Sequence, residues 1–308
     1  MTRRVLTPTF TGIRWLELVL DYRCNLRCLG CRACDGAGGT MRTHDALGWL
    51  AWGRRQSAAG LWLGGGEPTL RDDMLGLVRA AKKLGFRDVA VQTNAARLSY
   101  AHYADAVVAA GVTHVRVNLK SKDAALHDRL SGEDGTHARV VTALGLLRGR
   151  VELAADVLLT RETAPGVADT VALAAREGVR EVALWLYSAA DGGALDEIPR
   201  IADLVPALGE AARVARAAGV DIQSFHTPPC TLPLAERSLF RPAASLGLVV
   251  VDPSGRPFSV ADSPVEGGAY LPSCDRCAER ARCPGPRADY RAAHGDDEFQ
   301  PIAATSPS

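Results

Sequence analysis

The 308-residue chain is long enough for one large domain, or for one domain and a small appendage. Its 47% hydrophobic and 23% charged content is that of a globular protein, and 36 basic against 35 acidic residues leave a net charge of +1, so no global field draws it to nucleic acid or to an anionic membrane. Charges interrupt every apolar run before it reaches bilayer length, and the basic start, Met1 to Arg4, is not followed by an apolar stretch before Arg14. Neither a membrane span nor a secretory signal is read, and the expected location is the cytoplasm.

In chain order, the first two-thirds repeat one unit: a helix-like segment that closes at a glycine, then at once an apolar β-like run. The junctions are Gly60-Leu61, Gly85-Phe86, Gly111-Val112, Gly178-Val179 and Gly219-Val220, glycine suiting the left-handed position that ends a helix. The predicted strands are Leu16 to Leu20, Leu61 to Leu63, Val89 to Val91, Val115 to Leu119, Val151 to Leu159, Val182 to Tyr187 and Val220 to Ile222. The predicted helices are Met74 to Leu84, with Asp72 and Asp73 near its start, Tyr100 to Ala110, Val167 to Glu177 and Ile201 to Ala218. Strands alternating with helices predict an α/β fold with a parallel sheet, curled into a full or partial TIM-like barrel or left open and doubly wound. After about residue 224 the rhythm breaks at Pro228, Pro229, Pro233 and Pro242, and Leu248 to Val251, the turn Asp252-Pro253-Ser254-Gly255 and Arg256 to Val260 read as a hairpin. The expected organisation is a core over 1–223, a small metal-stapled extension over 224–302, and a disordered tail at 303–308.

Eight cysteines fall into two groups: Cys24, Cys28, Cys31 and Cys34, then Cys230, Cys274, Cys277 and Cys283. Such clustering in a cytosolic chain points to metal, with disulfides as the competing reading. Cys24, Cys28 and Cys31 form a C-x3-C-x2-C just after the first strand, where a barrel places catalytic loops. Three thiolates on one short loop can hold three irons of a four-iron cluster and leave the fourth open to a substrate or cofactor. Zinc competes, with Cys34 as a possible fourth ligand. Gly64-Gly65-Gly66-Glu67-Pro68 follows the second strand. Its glycines let a ligand approach the backbone and the Glu67 carboxylate can receive an amine; a plain turn is the alternative, and no Gly-Lys-Ser/Thr follows to make a phosphate loop.

Together these two motifs resemble those of the radical S-adenosylmethionine (SAM) superfamily. The resemblance implies that Cys24, Cys28 and Cys31 hold a [4Fe-4S] cluster whose open iron chelates SAM, and that Gly65, Gly66, Glu67 and Pro68 line the methionine end. It covers roughly residues 14 to 222 and implies a partial (βα)6 TIM-like barrel, followed by a small C-terminal iron–sulfur extension. Gln92-Thr93-Asn94 stands where members often show Thr-Asn-Gly, with Ala95 replacing the glycine and Asn94 at the cofactor. Asn118 takes the place of a serine that touches the SAM ribose. Members usually carry an aromatic residue just before the third cysteine, against the adenine; here it is Gly30, so adenine contact is expected from its backbone or from another side chain. Cys274-x2-Cys277-x5-Cys283, with Pro284-Gly285 and Tyr290, resembles the auxiliary-cluster extensions called SPASM and Twitch. The hairpin exit, Pro257-Phe258-Ser259, carries no cysteine. One auxiliary [4Fe-4S] cluster is therefore expected, closed and electron-passing if Cys230 is a ligand, open to substrate if not, with zinc as the alternative.

Alternation puts Arg116 on the same strand face as Asn118. If that face is the lumen, Arg116 is a candidate for a substrate carboxylate or phosphate. Tyr187 is a second lumen candidate, and these two are the catalytic candidates. Lys120, Lys122 and the histidines His102, His127, His137, His226 and His294 read as structural or solvated. The resemblance implies that one electron breaks the C5′–S bond of SAM, that the 5′-deoxyadenosyl radical takes a hydrogen atom from the substrate, and that a flavodoxin- or ferredoxin-type reductant is a partner. The expected substrate is a peptide, in ribosomal peptide maturation by side-chain cross-linking or oxidation, although Cys24 comes too early for a separate leader-binding domain ahead of it. Oxidation or rearrangement of a small molecule or cofactor precursor is the alternative substrate class. A metal-stapled electron-transfer or binding module without SAM chemistry is the alternative of another kind.

Overall fold

Burial alternates along the first strand, β1 (Trp15–Asp21): Leu16, Leu18 and Leu20 are fully buried, whereas Trp15, Glu17 and Val19 are half-buried. This is the period-two pattern of a strand with two unlike faces. The computed structural model, which describes residues 10, 12–31, 38–189, 193–263 and 268–303, repeats it around a curled sheet. Cys34 and residues 304–308 of the expected tail lie outside the described residues. The remaining elements are α1 (Thr43–Arg55), β2 (Gly60–Gly65), α2 (Met74–Lys83), β3 (Asp88–Thr93), α3 (Ala101–Ala110), β4 (His114–Asn118), α4 (Ala124–Ser131), α5 (Thr136–Leu147), β5 (Glu152–Leu159), α6 (Val167–Arg176), β6 (Glu181–Leu186), α7 (Ile201–Ala218), β7 (Asp221–Phe225), β8 (Leu248–Val251), β9 (Pro257–Ser259) and α8 (Ala288–His294).

The sheet runs β7-β6-β5-β4-β3-β2-β1-β8-β9, with every pair parallel except β8 with β9. Seven consecutive strands in chain order, joined through helices on one side, make a partial TIM-like barrel. Its core lies between the convex sheet face and the helices, where Leu18, Leu63, Val117 and Val157 meet Leu50, Val107, Leu144 and Leu208, all without solvent contact. The concave face closes on itself. The rings of Trp15 on β1 and His114 on β4 are 5.6 Å apart, and Gln92 on β3 donates to Asp156 on β5 at 3.0 Å. The predicted hairpin forms as β8 and β9, but β8 pairs with β1, with Trp15 opposite Leu248 and Leu18 opposite Val251, so it extends the barrel sheet at its first edge.

The last helix is bolted to the carboxyl ends of β6 and β7. Arg287, 4% exposed, donates to the carbonyls of Leu186 (3.0 Å) and Tyr187 (2.6 Å), meets His226 Nδ1 at 3.0 Å and pairs with Asp289 at 2.9 Å. Asp289 in turn accepts from Ser188 Oγ and the Ala189 amide, and Tyr290 Oη accepts from the Ile201 amide at the start of α7. Removing the cation leaves Asp289 and two carbonyls without their partner. Arg287→Met is expected to cost about 3 kcal/mol in urea unfolding, the scale of a broken buried ion pair.

Candidate active site

The C-x3-C-x2-C loop leaves β1 at Asp21, whose carboxylate accepts from the amide (2.9 Å) and Nε (2.7 Å) of Arg23 and so turns the chain. Cys24 and Cys28 are half-buried, Cys31 is exposed, and a short turn joins the last two through the Cys31 amide and the Cys28 carbonyl at 3.1 Å. Cys24 Sγ accepts from the Leu26 amide at 3.4 Å and from Asn94 Nδ2 at 3.6 Å. Burial pushes the Cys24 thiol up, and the charges of Glu67 and Cys28 add to the shift despite the Leu26 donor. Ionising this group of thiols calls for a cation among them, which is the chemistry an iron–sulfur cluster supplies.

The glycine loop is laced to that turn. The Gly66 amide donates to the Asp21 carbonyl at 2.7 Å, and the Glu67 amide to the Arg23 carbonyl at 2.9 Å. Gly65 sits at φ +121°, where a Cβ would lie 2.3 Å from the Asp21 carbonyl oxygen, and a Cβ on Gly66 would lie 2.3 Å from that of Arg23. Glycine is required at both positions because two backbones touch. The expectation that the Glu67 carboxylate receives an amine is corrected. It is 1% exposed and turned into the protein, accepting from the Thr69 amide (3.0 Å), Thr69 Oγ1 (2.6 Å), Thr93 Oγ1 (2.8 Å) and the Asn94 amide (2.7 Å). A buried carboxylate must spend its lone pairs on such donors. Glu67→Leu orphans four of them and is expected to cost at least about 3 kcal/mol in urea unfolding.

Asn94 joins the two loops. Its side chain donates to Asn25 Oδ1 at 2.8 Å as well as to Cys24 Sγ, and accepts from the Ala96 amide at 3.0 Å. Ala95, where the resemblance has glycine, takes φ +63°, a left-handed conformation that carries some strain in an alanine. Pro68, buried, opens the short 3-10 turn after Glu67.

Arg116 and Asn118 share the lumen face as their alternation predicts, but Arg116 is not poised for a substrate anion. Arg116 donates to Asp156 at 2.9 Å and to Glu181, so its charge is met by two protein carboxylates, and the substrate-anion expectation is corrected on that ground. Asn118 Oδ1 accepts from Lys120 Nζ at 2.8 Å. His127 is buried, and burial, with the charges of Lys120 and His137, drives its imidazole down to about 3, which leaves it neutral.

Tyr187, at the end of β6, is 7% exposed and packs against the cluster loop: a Cβ on Gly30 would lie 3.3 Å from its ring. An aromatic ring thus does stand beside the residue before the third cysteine, supplied by β6 instead of by the loop. It forms one wall of a cavity of about 230 Å³ bounded also by Leu29, Gly30, Lys120, Leu158 and Thr160. A larger cavity, about 540 Å³, opens at the opposite, amino-terminal end of the strands, lined by Trp15, Trp62, His114, Arg116 and Glu181 and by no residue of either motif.

Cys230, Cys274, Cys277 and Cys283 line one small cavity beside Tyr270 and Phe299. Burial, then the charges of Cys283, Cys277 and Cys274, pushes the Cys230 thiol up to about 12. All seven described cysteines are free thiols, and among the described residues no group of three or more His, Cys, Asp or Glu is arranged to hold a single metal ion. Four soft thiolates spread around one hollow suit a multi-iron cluster. Sequence reasoning missed Glu17, Asp156, Arg287 and Asp289, whose surroundings are supplied by segments distant in the chain. No described helix is long and apolar enough to cross a membrane.

Comparison with known proteins agrees with this geometry. The Radical SAM superfamily profile matches residues 19–174, just over half of the chain. The PqqA peptide cyclase of Ruegeria pomeroyi is 29% identical over 167 residues, covering 53% of this chain and 44% of that one. A probable GTP 3′,8-cyclase of Saccharolobus islandicus is 27% identical over 173 residues, 55% of each. The chain spans about half the length of the curated relatives it matches. In fold it is similar to Streptococcus suis SuiB bound to S-adenosylmethionine, with a TM-score of 0.69 at 16% identity over 95% of this chain and 76% of that one. It is also similar to methylornithine synthase (PylB), with a TM-score of 0.54 at 14% identity over 92% of this chain and 87% of that one. The chain belongs to the radical SAM superfamily.

Proposed function

We propose that this enzyme oxidises a peptide, closing a cross-link or removing two hydrogens, with SAM bound at the Cys24 loop and an auxiliary [4Fe-4S] centre held by Cys230, Cys274, Cys277 and Cys283. The observation that carries the reading is a shared position. Tyr187 touches Gly30 of the first cysteine loop, while its carbonyl is gripped by Arg287, ten residues past Cys277 and four past Cys283. Both thiol groups are thereby tied to one end of the barrel, with the 230 Å³ cavity beside Tyr187. Support for a peptide comes from the 29% match to a PqqA peptide cyclase, and from a fold shared with SuiB, which is also known bound to the precursor peptide SuiA. The match to probable GTP 3′,8-cyclases supports a small-molecule substrate instead. The cavity weighs against that, since it offers one lysine, Lys120, against Glu162 and Glu197, a poor lining for a triphosphate.

When bound, cluster and SAM together supply the 5′-deoxyadenosyl radical that takes a hydrogen atom. The chain's own residues prepare the place for it. Gly65 and Gly66 bring two backbones together without side chains, Asn94 orients Cys24, and Thr69, Thr93 and Asn94 hold Glu67 so that the loop keeps its shape. Gly30 and Tyr187 offer the flat wall suited to an adenine. The rings of Trp15 and Trp62, 6.0 Å apart, and of His114 form the lumen floor and limit water at the reacting end. A flavodoxin- or ferredoxin-type protein supplies the electron.

The test is anaerobic reconstitution with iron and sulfide, followed by SAM, a one-electron reductant and synthetic copies of any short peptides encoded beside the gene. The reading expects 5′-deoxyadenosine and a peptide lighter by two hydrogens. Formation of 5′-deoxyadenosine with every such peptide unchanged would move the reading to the small-molecule class.

A further inference from the structure

Between the lumen floor and the cysteine loop, the inward face of β1 carries one carboxylic acid, Glu17, flanked along the strand by Trp15 and Val19. Its side chain leans up toward the glycine loop: a Cβ on Gly64 would lie 2.7 Å from Glu17 Oε1. The first glycine of the run, one residue before Gly65, therefore makes room for this carboxyl.

The groups around it leave it without a cation. The ionisable side chains at this level come from three other strands: Arg116 of β4, Asp156 of β5 and Glu181 of β6. The strands β2, β3, β7 and β8 contribute Trp62, Gln92, Phe225 and Val250. His114, Arg14, Arg180, Arg241, Asp88, Glu152 and Asp221 line the amino-terminal cavity, and of all these charges only that of Asp156 shifts the Glu17 carboxyl. Arg116 donates to both Asp156 and Glu181, and Asp156 also accepts from Gln92 Nε2 (3.0 Å) and Trp185 Nε1 (3.0 Å). One guanidinium is thus shared by two carboxylates, and none is left for the third. Burial, with the negative charge of Asp156, pushes the Glu17 carboxyl up to about 7. A group that exchanges its proton near neutrality suits general base work.

We propose that Glu17 is the proton acceptor of the reaction, taking the proton that the substrate releases when its radical is oxidised. This rests on the oxidative reading above. One electron enters to break the C5′–S bond of SAM. The substrate then loses a hydrogen atom to the deoxyadenosyl carbon, giving 5′-deoxyadenosine. As the substrate radical forms its new bond it gives one electron to the auxiliary iron–sulfur centre and one proton to the Glu17 carboxylate. The electron spent on SAM is recovered, the substrate has lost two hydrogens, and SAM has become methionine and 5′-deoxyadenosine. The proton leaves toward the 540 Å³ cavity at the far end of the barrel, which Trp15 and Trp62 beside Glu17 line. Release on that side keeps solvent away from the radical.

The experiment uses the reconstituted full chain with the same encoded peptide. In wild type, peptide oxidation in a single turnover rises with pH through about 7, because the carboxyl must first be ionised to accept a proton. Glu17→Gln lowers peptide oxidation by about 100-fold, so that 5′-deoxyadenosine accumulates in excess over oxidised peptide, and Glu17→Asp restores part of the rate with a shifted pH profile. A second readout needs no peptide. In infrared difference spectra between about pH 6 and about pH 8, the carbonyl stretch of a protonated carboxyl is lost in wild type and missing from Glu17→Gln. The proposal is overturned if Glu17→Gln oxidises the peptide within about threefold of wild type with the same pH profile, or if the infrared band is the same in both proteins. Should wild type leave the peptide unchanged, the peptide reading fails while the infrared band still decides whether Glu17 holds the proton.

Discussion

Alanine at Cys24, Cys28 or Cys31 is expected to lower reductive cleavage of SAM by at least about a thousandfold, to the level seen without protein. Two thiolates on the loop cannot hold three irons, and among the described cysteines the second group sits elsewhere in the fold. The fold itself should survive. Cys24 and Cys28 are half-buried and Cys31 is exposed, so no core cavity is opened. The measurement is 5′-deoxyadenosine by chromatography together with iron per chain: each variant should lose about four irons and keep a melting temperature within about 3 °C of wild type.

Gly66→Ala is expected to lower SAM cleavage about 100-fold without touching a thiol. The added carbon would stand 2.3 Å from the Arg23 carbonyl oxygen, 2.7 Å from its carbon and 2.8 Å from that of Tyr22. All three are backbone atoms and cannot swing aside, so the cysteine loop must retreat by about an ångström, a displacement large enough to cost two orders of magnitude when it misaligns reacting groups. Gly48→Ala is the control: it lies in α1, a Cβ there meets nothing within 4 Å, and alanine in a helix interior should be neutral or slightly stabilising. Equal loss from both variants would mean that the glycine loop has no special relation to the cysteine loop.

The barrel was legible because parallel strands read as short apolar runs, and because glycines at helix ends mark where most of them begin, Gly60 being the exception since it lies inside β2. Gly111 at φ +107° and Gly219 at φ +67° occupy the left-handed position expected of them. The strand over 15–21 and the helix over 201–218 lie where their patterns put them. The helices α4 and α5 were harder to see. The first is short, His127 and Ser131 are polar residues on its buried side, and Gly132 and Gly135 interrupt what would otherwise be one amphipathic run. The place of β8 was not legible, since nothing in Leu248–Val251 says which sheet edge will accept it.

The site divides in the same way. Spacing along one loop is a local property, so the cysteine and glycine motifs stood out in the sequence and the fold lays them against each other. Charge pairing across a lumen is not local. Arg116 looked available for a substrate until Asp156, 40 residues on, and Glu181, 65 residues on, were seen beside it. The Glu67 carboxylate looked outward until Thr93 and Asn94 arrived from the next strand. The ring beside Gly30 came from Tyr187, on the far side of the barrel wall, and only the size of Gly30 hinted that something must fill its place.

The proposed function rests on Cys24, Cys28 and Cys31 holding an iron–sulfur cluster that cleaves SAM, with a second cluster proposed at the other cysteine group. The measurement that meets it most directly is metal content and SAM turnover of the anaerobically reconstituted chain under a strong one-electron reductant. The account predicts about eight irons per chain and steady release of 5′-deoxyadenosine and methionine. About two zinc ions per chain, with SAM left intact, would contradict it.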